Sequence, residues 1–557
     1  MNHRAKQIVK TGRSETVPNR REGSALLAVL VIVAMLSLAA YSYSEVMLSE
    51  YEAAIRTGRL TESRLLADSG VEWTLSVLSM TNSEVPPDLF NNPDQFHKIL
   101  VQPATEERPA GYFSVVAPVT GSASGVRFGL RNESAKINLN ALANSGLTED
   151  ELRFFLMEVP AMTESVADAI LDWIDADTEP RYYGAEAELY ANLVPPRTPK
   201  NAPLLSLDEL LAVDGVTAAL LYGEDTNRNG LLDPNEDDGG ASEPFDNADG
   251  LLDAGWSEYF TVTARENNLR LDGSPKIPLN SNILTDLYDQ LDEEFGEEVA
   301  TFVVAYRIFG PSNRDEFDFT PTGLSGGDAT ELSFDDQQIL DELAEGIADS
   351  IASGGSVTRN GMDLSRGGEF DIRSLYDLIG AEVEADMEGG LQTLVSPWSS
   401  DAGSLLTTFP IMKEALGVSE NPTIEGRINI NEARFETLMG IPTMTEETAS
   451  AIVSASNQLS VGNPNPDLVA SRSTNCWLLA EGIVDLETMR QLDPYVTAGG
   501  DILTAQVVGY FGTSGISTRL KVTIDASVSP PQLLSISDYS RLGPGYSVYD
   551  WQQELNE

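Results

Sequence analysis

Arg20-Arg21-Glu22-Gly23 followed by Ser24-Ala25-Leu26-Leu27-Ala28-Val29-Leu30-Val31-Ile32-Val33-Ala34-Met35-Leu36-Ser37-Leu38-Ala39-Ala40 is the stretch that decides how this chain is organised. Ahead of it lies a polar, basic segment with Arg4, Lys6, Lys10 and Arg13. The run from Ser24 to Ala40 carries no charge and is about long enough to cross a bilayer as a helix. Basic residues on its N-terminal side keep that end cytoplasmic and send the bulk of the chain across. A secretory signal peptide has a shorter apolar region that ends in a small-residue cleavage site. Here the apolar block starts directly after Gly23, and the helical pattern runs on through Leu60, Leu65, Leu66, Val71, Trp73, Leu75 and Leu78. One helix from Ser24 to about Met80 would be roughly 85 Å long, greasy in its first third and amphipathic beyond.

Downstream, three segments repeat: Lys136-Ile137-Asn138-Leu139-Asn140, Lys276-Ile277-Pro278-Leu279-Asn280 and Arg427-Ile428-Asn429-Ile430-Asn431. Each reads as a short extended piece ending in Asn as a helix N-cap. Strand-like Tyr112–Val116 and Tyr259–Thr263 precede the first two, and Val126–Leu130 alternates as well. A second match joins Val159-Pro160-Ala161-Met162-Thr163-Glu164 to Ile441-Pro442-Thr443-Met444-Thr445-Glu446. Each copy predicts a helix, a Pro turn, a Thr N-cap and a second helix, a helix-hairpin-helix. Thr148…Glu151 and Ser206…Glu209 have capping-box spacing. Helix-hairpin-helix units that hold DNA present glycine-rich turns and basic neighbours to phosphate. The first hairpin is instead ringed by Glu158, Glu164, Asp168, Asp172, Asp175 and Asp177, so it reads as a scaffold and not as a nucleic-acid site. Toward the C-terminus, Ala505–Phe511 and Thr518–Ile524 alternate as strands across a turn at Gly512–Ser517, and an acidic tail follows from Tyr546 to Glu557.

The segment Asp225–Glu236 fits an EF-hand loop position by position. Oxygen ligands fall at Asp225, Asn227 and Asn229, and Gly230 supplies the sharp turn. Leu231 offers its carbonyl, Asp233 the ninth position and Glu236 the bidentate twelfth. Hard oxygens at alternating positions predict a structural calcium ion. With Pro234 in the loop and no clean exiting helix, an isolated loop is expected and not a sensor pair. A second stretch, Asp246–Asp253, is related but incomplete.

Bulk composition narrows the function classes. With 35 basic against 87 acidic residues the formal charge is −52, which repels nucleic-acid phosphates and anionic headgroups. The same charge also suits plain solubility or a salty medium. One cysteine, Cys476, allows no internal disulfide, and two histidines, His3 and His97, are too few for a His-rich zinc site. His97 has no nucleophile motif beside it, and no acid–base pair stands out, so the chain does not read as an enzyme.

Gly23 before an apolar helix, with basic residues ahead of it, resembles the class III leader and N-terminal helix of type IV pilins and type II pseudopilins. That resemblance implies cleavage by prepilin peptidase between Gly23 and Ser24. Most members carry Glu at the fifth mature position, where this chain has Ala28. Its absence is the mark of the K-type tip subunit, which has no subunit above to pair with a carboxylate buried in lipid. Lys136–Asn140, Asp172–Asp177, Gly184-Ala185-Glu186, Asn201-Ala202-Pro203 and Ser206–Leu210 are similar to the same family over about 220 residues, and Gly426–Ile452 follows it less closely.

The implied fold is α+β: a long N-terminal transmembrane pilin helix and a pilin-like antiparallel sheet, with large inserted helical domains of SAM-like, helix-hairpin-helix type. The expected divisions are a leader (1–23), the membrane helix (24–80), pilin-like strands (81–135), a helical domain with the calcium loop (136–255), an extra or enlarged module with a helix at Ser333–Ala352 (256–425), a hairpin module (426–498) and C-terminal strands with the tail (499–557). Implied partners are the I- and J-type minor pseudopilins, prepilin peptidase, the inner-membrane secretion platform and the membrane. The bulk is expected in the periplasm, and the family's calcium-binding members favour the loop reading. Competing readings are an unprocessed single-pass anchor, a calcium-binding surface or adhesion protein, and a competence-type DNA receptor.

Overall fold

The computed structural model describes residues 22–80, 88–106, 108–118, 125–241, 246–312, 357–460, 465–512, 514–543 and 545–547. The leader as far as Arg21, the expected helix Ser333–Ala352 and the tail from 548 onward lie outside the described residues. Two compact units divide at Ser63/Arg64. The first holds most of helix α1, Glu22–Leu78. Its side chains from Ala25 to Tyr51 are exposed, including Leu26, Leu30, Ile32 and Leu36.

The second unit is built on a sheet whose main strands are β1 (Ile99–Gln102), β2 (Gly111–Pro118), β3 (Ile502–Phe511), β4 (Ser514–Asp525) and β5 (Gln532–Asp538). They lie side by side in that order, every neighbouring pair antiparallel. The long separation in sequence between β2 and β3 is closed by Val115 opposite Val507 and Phe113 opposite Gly509. The early and late strands thus share one sheet, as a pilin-like fold implies. The last turns of α1 cover one face, with Ala67, Val71, Val77 and Leu78 against Phe113, Val507, Leu520 and Val522. Contact is closest at Gly70, where a β-carbon would meet Val507 Cγ1 at 2.6 Å. β5 went unforeseen in the sequence.

Between β2 and β3 the chain makes three helical repeats. Among the described residues, each repeat segment opens a two-residue strand that pairs in parallel with a strand far downstream: Ile137–Asn138 with Phe260–Thr261, Ile277–Pro278 with Leu416–Gly417, and Ile428–Asn429 with Val496–Thr497. Tyr259–Thr263 therefore closes the first repeat and does not join the main sheet. Helix pairs follow: α2 (Glu149–Met157) and α3 (Glu164–Ile174), α4 (Leu284–Phe295) and α5 (Glu297–Phe309), α6 (Phe435–Met439) and α7 (Glu446–Ser460). The Thr148 capping box is formed and Thr163 accepts from Val166 N. In the two Pro turns, Ala161 and Thr443 take up matching left-handed backbone, φ 60° and 66°.

The N-cap expectation for the repeated asparagines needs correcting. Asn138, not Asn140, caps the short helix after the first strand, accepting from Asn140 N and Ala141 N. Asn140 has a tertiary task. Its Nδ2 donates to Leu204 O and Val262 O, and its Oδ1 accepts from Leu204 N. Asn280 does the same with Ile372 and Val418. Asn431 donates to Arg472 O and Ala498 O, while its Oδ1 is buried without a partner. A carboxamide holds both N–H and C=O groups at once, which suits it to bridging two non-regular segments.

Candidate functional site

Two features carry functional expectations. The first is the start of α1. Gly23 and Ser24 lie in its first turn and Ala28 sits exposed one turn further on. The next acid is Glu45, so Ser24–Ser44 forms a charge-free helical surface. This stretch is long and apolar enough to cross a membrane, with mean hydropathy 2.5 over its most apolar window.

The second is Asp225–Glu236. Asp225, Asn229 and Glu236 are buried, although two are acids and the third fully polar. Backbone hydrogen bonds fix the loop. Asp225 accepts from Asn229 N at 3.0 Å and Gly230 N at 2.9 Å, Asn227 Oδ1 from Asn229 N at 2.9 Å, and Asn229 Oδ1 from Leu231 N at 2.7 Å. Glu236 closes the loop, with one oxygen accepting from Thr226 N and the other from Asp233 N. Gly230 has φ 71°, the left-handed turn expected at the sixth position. Asn227 and Asn229 donate from Nδ2 to Asp233 Oδ2, and no lysine or arginine forms an ion pair with Asp225, Asp233 or Glu236 among the described residues. Burial, together with the charge of Glu236, pushes the Asp225 carboxyl up to about 6. A divalent ion would offset that penalty, and hard oxygen donors are the type calcium takes.

A third cluster escaped the motif reading. One oxygen from each of Asp175, Asp177 and Glu186 lies within 4.8 Å of the others, close enough to hold a cation. Arg181 already bonds Asp175 and Asp172 there. Asp172–Asp177 and Gly184–Glu186 carried the signal, but their spacing matches no regular loop and only the fold brings them together.

Residues 135–222 match the family model described as type II secretion system (T2SS), protein K. Among curated relatives, the type II secretion system protein K of Aeromonas hydrophila is 29% identical over 218 residues, 36% of this chain and 61% of the relative. That of Pectobacterium carotovorum subsp. carotovorum is 27% identical over 212 residues, 36% and 60%. That of Dickeya chrysanthemi is 40% identical over 70 residues, 13% and 19%. The chain thus spans about three fifths of the length of the longer matches. A solved structure titled the GspK-GspI-GspJ complex from the enterotoxigenic Escherichia coli type 2 secretion system aligns at TM-score 0.35 and 12% identity, over 87% of this chain and 98% of that one.

Proposed function

We propose that this chain belongs to the type II secretion system protein K family, as the minor pseudopilin that caps the pseudopilus tip and supports export of folded proteins. The observation that carries the reading is the first part of α1: an exposed helical stretch without charge from Ser24 to Ser44, with Ala28 at the position where other pseudopilins carry Glu. A subunit below the tip uses that Glu to pair with the subunit above it. A subunit with nothing above gains by lacking a carboxylate that would lie unpaired in lipid. Processing at Gly23–Ser24 by prepilin peptidase frees the mature N-terminus. The helix anchors in the inner membrane, leaves the body in the periplasm, and packs side by side with I- and J-type helices on the secretion platform.

The sheet of the second unit serves as the pilin-like body, with the three repeats inserted between β2 and β3 as SAM-like, helix-hairpin-helix domains. The middle repeat is the extra module. The role is mechanical and not catalytic. Calcium, held by Asp225, Asn227, Asn229, the Leu231 carbonyl, Asp233 and Glu236, would order a loop that has little apolar content of its own.

N-terminal sequencing of the native protein should begin at Ser24, and the chain extracted in mild detergent should bring down I- and J-type pseudopilins. A mature protein that keeps Arg20–Gly23, or that purifies without those partners, overturns the reading.

A further inference from the structure

Beside the Asp225 loop lies a cavity of about 120 Å³, walled by the loop, by Lys136 of the first repeat and by strands β2, β3 and β4. That is several times the room one water needs. Its lining is basic in a chain of net charge −52: Arg131, Lys136, Arg228 and Lys521 all face it. The acids on its wall are engaged elsewhere. Glu258 accepts from both Arg131 nitrogens, at 2.7 and 2.8 Å, and from Arg434 at 3.0 Å. Asp208 accepts the Tyr222 hydroxyl at 2.5 Å, and Asp225 is turned to the N–H groups of its own loop.

Three cations reach the cavity, one of them paired with a buried carboxylate. Lys136 is 5% exposed, and its nearest carboxylate is Glu133 at 3.5 Å. Lys521 and Arg228 form no ion pair with any described carboxylate. Arg228 packs over Tyr222, its guanidinium carbon 3.8 Å from the ring centroid, which holds it at the cavity wall. Two ammonium groups and one planar guanidinium offer many donors and no acceptor, the set that recognises a phosphate-like anion.

We propose that this cavity binds a small tetrahedral oxyanion of the size of phosphate or sulfate, held by Lys136, Lys521 and Arg228. Burial, with Arg131 and Lys521 close by, pushes the Lys136 ammonium down to about 8 despite Glu133, whereas Tyr539, Glu133 and Glu258 outweigh burial at Lys521 and hold it above the ordinary lysine value. The Asp225 loop, which calcium would order, is one of the cavity's walls.

The test is calorimetry on the full chain in detergent, titrating sodium phosphate and, separately, sulfate against chloride and acetate at equal ionic strength. Saturable 1:1 binding of phosphate and sulfate is expected, with chloride and acetate silent. Lys521→Met and Arg228→Gln should each weaken binding at least tenfold, while Lys98→Met, outside the cavity, leaves it unchanged. Arg228→Gln acts on a loop side chain and guards against a misfolded Lys521→Met. Absence of oxyanion binding, or affinity unchanged in both variants, overturns the site, as does acetate binding as well as phosphate. Calcium titration of the same sample tests the loop independently. Calcium uptake without phosphate binding sinks the oxyanion site alone, and phosphate binding without calcium uptake sinks the loop assignment and leaves the oxyanion site standing.

Discussion

In the first helical repeat the last turn of α3 buries Asp172, whereas in the second the last turn of α5 buries Arg307. Both side chains are almost wholly hidden, and both are roofed by a glycine. A methyl at Gly184 would overlap the Asp172 carboxylate, and one at Gly368 would overlap the Arg307 guanidinium. The roofing loops differ in what they turn inward. Over Asp172 they present donors: Ala185 N at 2.8 Å and the Arg181 backbone and guanidinium. Over Arg307 they present acceptors: Phe370 O, Asp371 Oδ1 at 2.5 Å and, from the repeat segment itself, Asn280 O at 3.1 Å. A backbone carries equal numbers of N–H and C=O groups, so one scaffold can satisfy either sign of buried charge by rotating the covering loop. What stays constant is the asparagine that ties the repeat segment to the downstream strand.

If that asparagine is the common fastening, its removal should have the largest effect. Asn140→Ala and Asn280→Ala each leave two carbonyls and one N–H without a side-chain partner. At about 1–3 kcal/mol per stranded group, softened by local relaxation, each should cost about 4 kcal/mol. Asn431 makes two such bonds and its Oδ1 makes none, so Asn431→Ala should cost about two thirds as much. Peptide-resolved hydrogen exchange checks this directly, because protection should fall in the mutated repeat and hold in the other two. Uniform loss across all three would break the comparison by showing that they unfold as one body.

The charge inversion comes next in size. Arg307→Met strands Asn280 O and Phe370 O but leaves Asp371 40% exposed and able to hydrate, so about 3 kcal/mol is expected. Asp172→Asn keeps one acceptor oxygen and turns an NH₂ group toward the remaining N–H donors, for about 2 kcal/mol. Exchange protection in α5 and α3 measures both. Equal costs would mean that the sign of the charge does not matter to the scaffold.

The long apolar helix, the capping boxes, both Pro turns and the alternating strands at Ala505–Phe511 and Thr518–Ile524 were legible in the sequence, because each rests on local periodicity or a cap within one turn; the pairing of early with late strands was expected only from the pilin-like fold. The repeat segments were legible as repeats but not as clasps. Asn140 reads as a helix cap because its true partners, Leu204 and Val262, are remote in sequence and bonded through backbone, which leaves no side-chain signature. Arg307 sits in an apolar run, Val303-Val304-Ala305-Tyr306, where a lone cation looks like a surface residue until the fold buries it. The EF-hand spacing of Asp225–Glu236 was readable because all its oxygens come from one loop. The Asp175/Asp177/Glu186 cluster and the cavity at Lys136 draw on separate segments and needed the tertiary structure.

The smallest effect concerns the capping-box acids of two short turns, Glu209 at Leu207–Ala212 in the first repeat and Asp377 at Leu375–Asp377 in the second. Burial opposes ionisation of Glu209, but Lys200 Nζ at 2.7 Å and the N–H groups of Leu205 and Ser206 outweigh it and hold the carboxyl below the ordinary glutamate range. Its stabilisation is present above the unfolded value and is lost as pH falls through the folded one. Asp377 goes the other way. Burial pushes it up to about 6 against the N–H groups of Ser374 and Arg373, with Arg490 and Asp493 of opposite sign nearby. The folded protein holds that proton more tightly than the unfolded chain, so the contribution is fullest below the unfolded value of about 3.9 and is lost as pH rises through about 6. Between pH 7 and pH 5 the second repeat should therefore gain about 1 kcal/mol on the first. Hydrogen exchange in Leu375–Asp377 and Leu207–Ala212, corrected for the intrinsic rate at each pH, reads the difference. Asp377→Asn keeps an oxygen for both N–H groups and should erase the pH dependence of the second repeat while leaving the first untouched. If the dependence survives that substitution, another group in the second repeat is titrating, and the two caps do not differ in the way their surroundings imply.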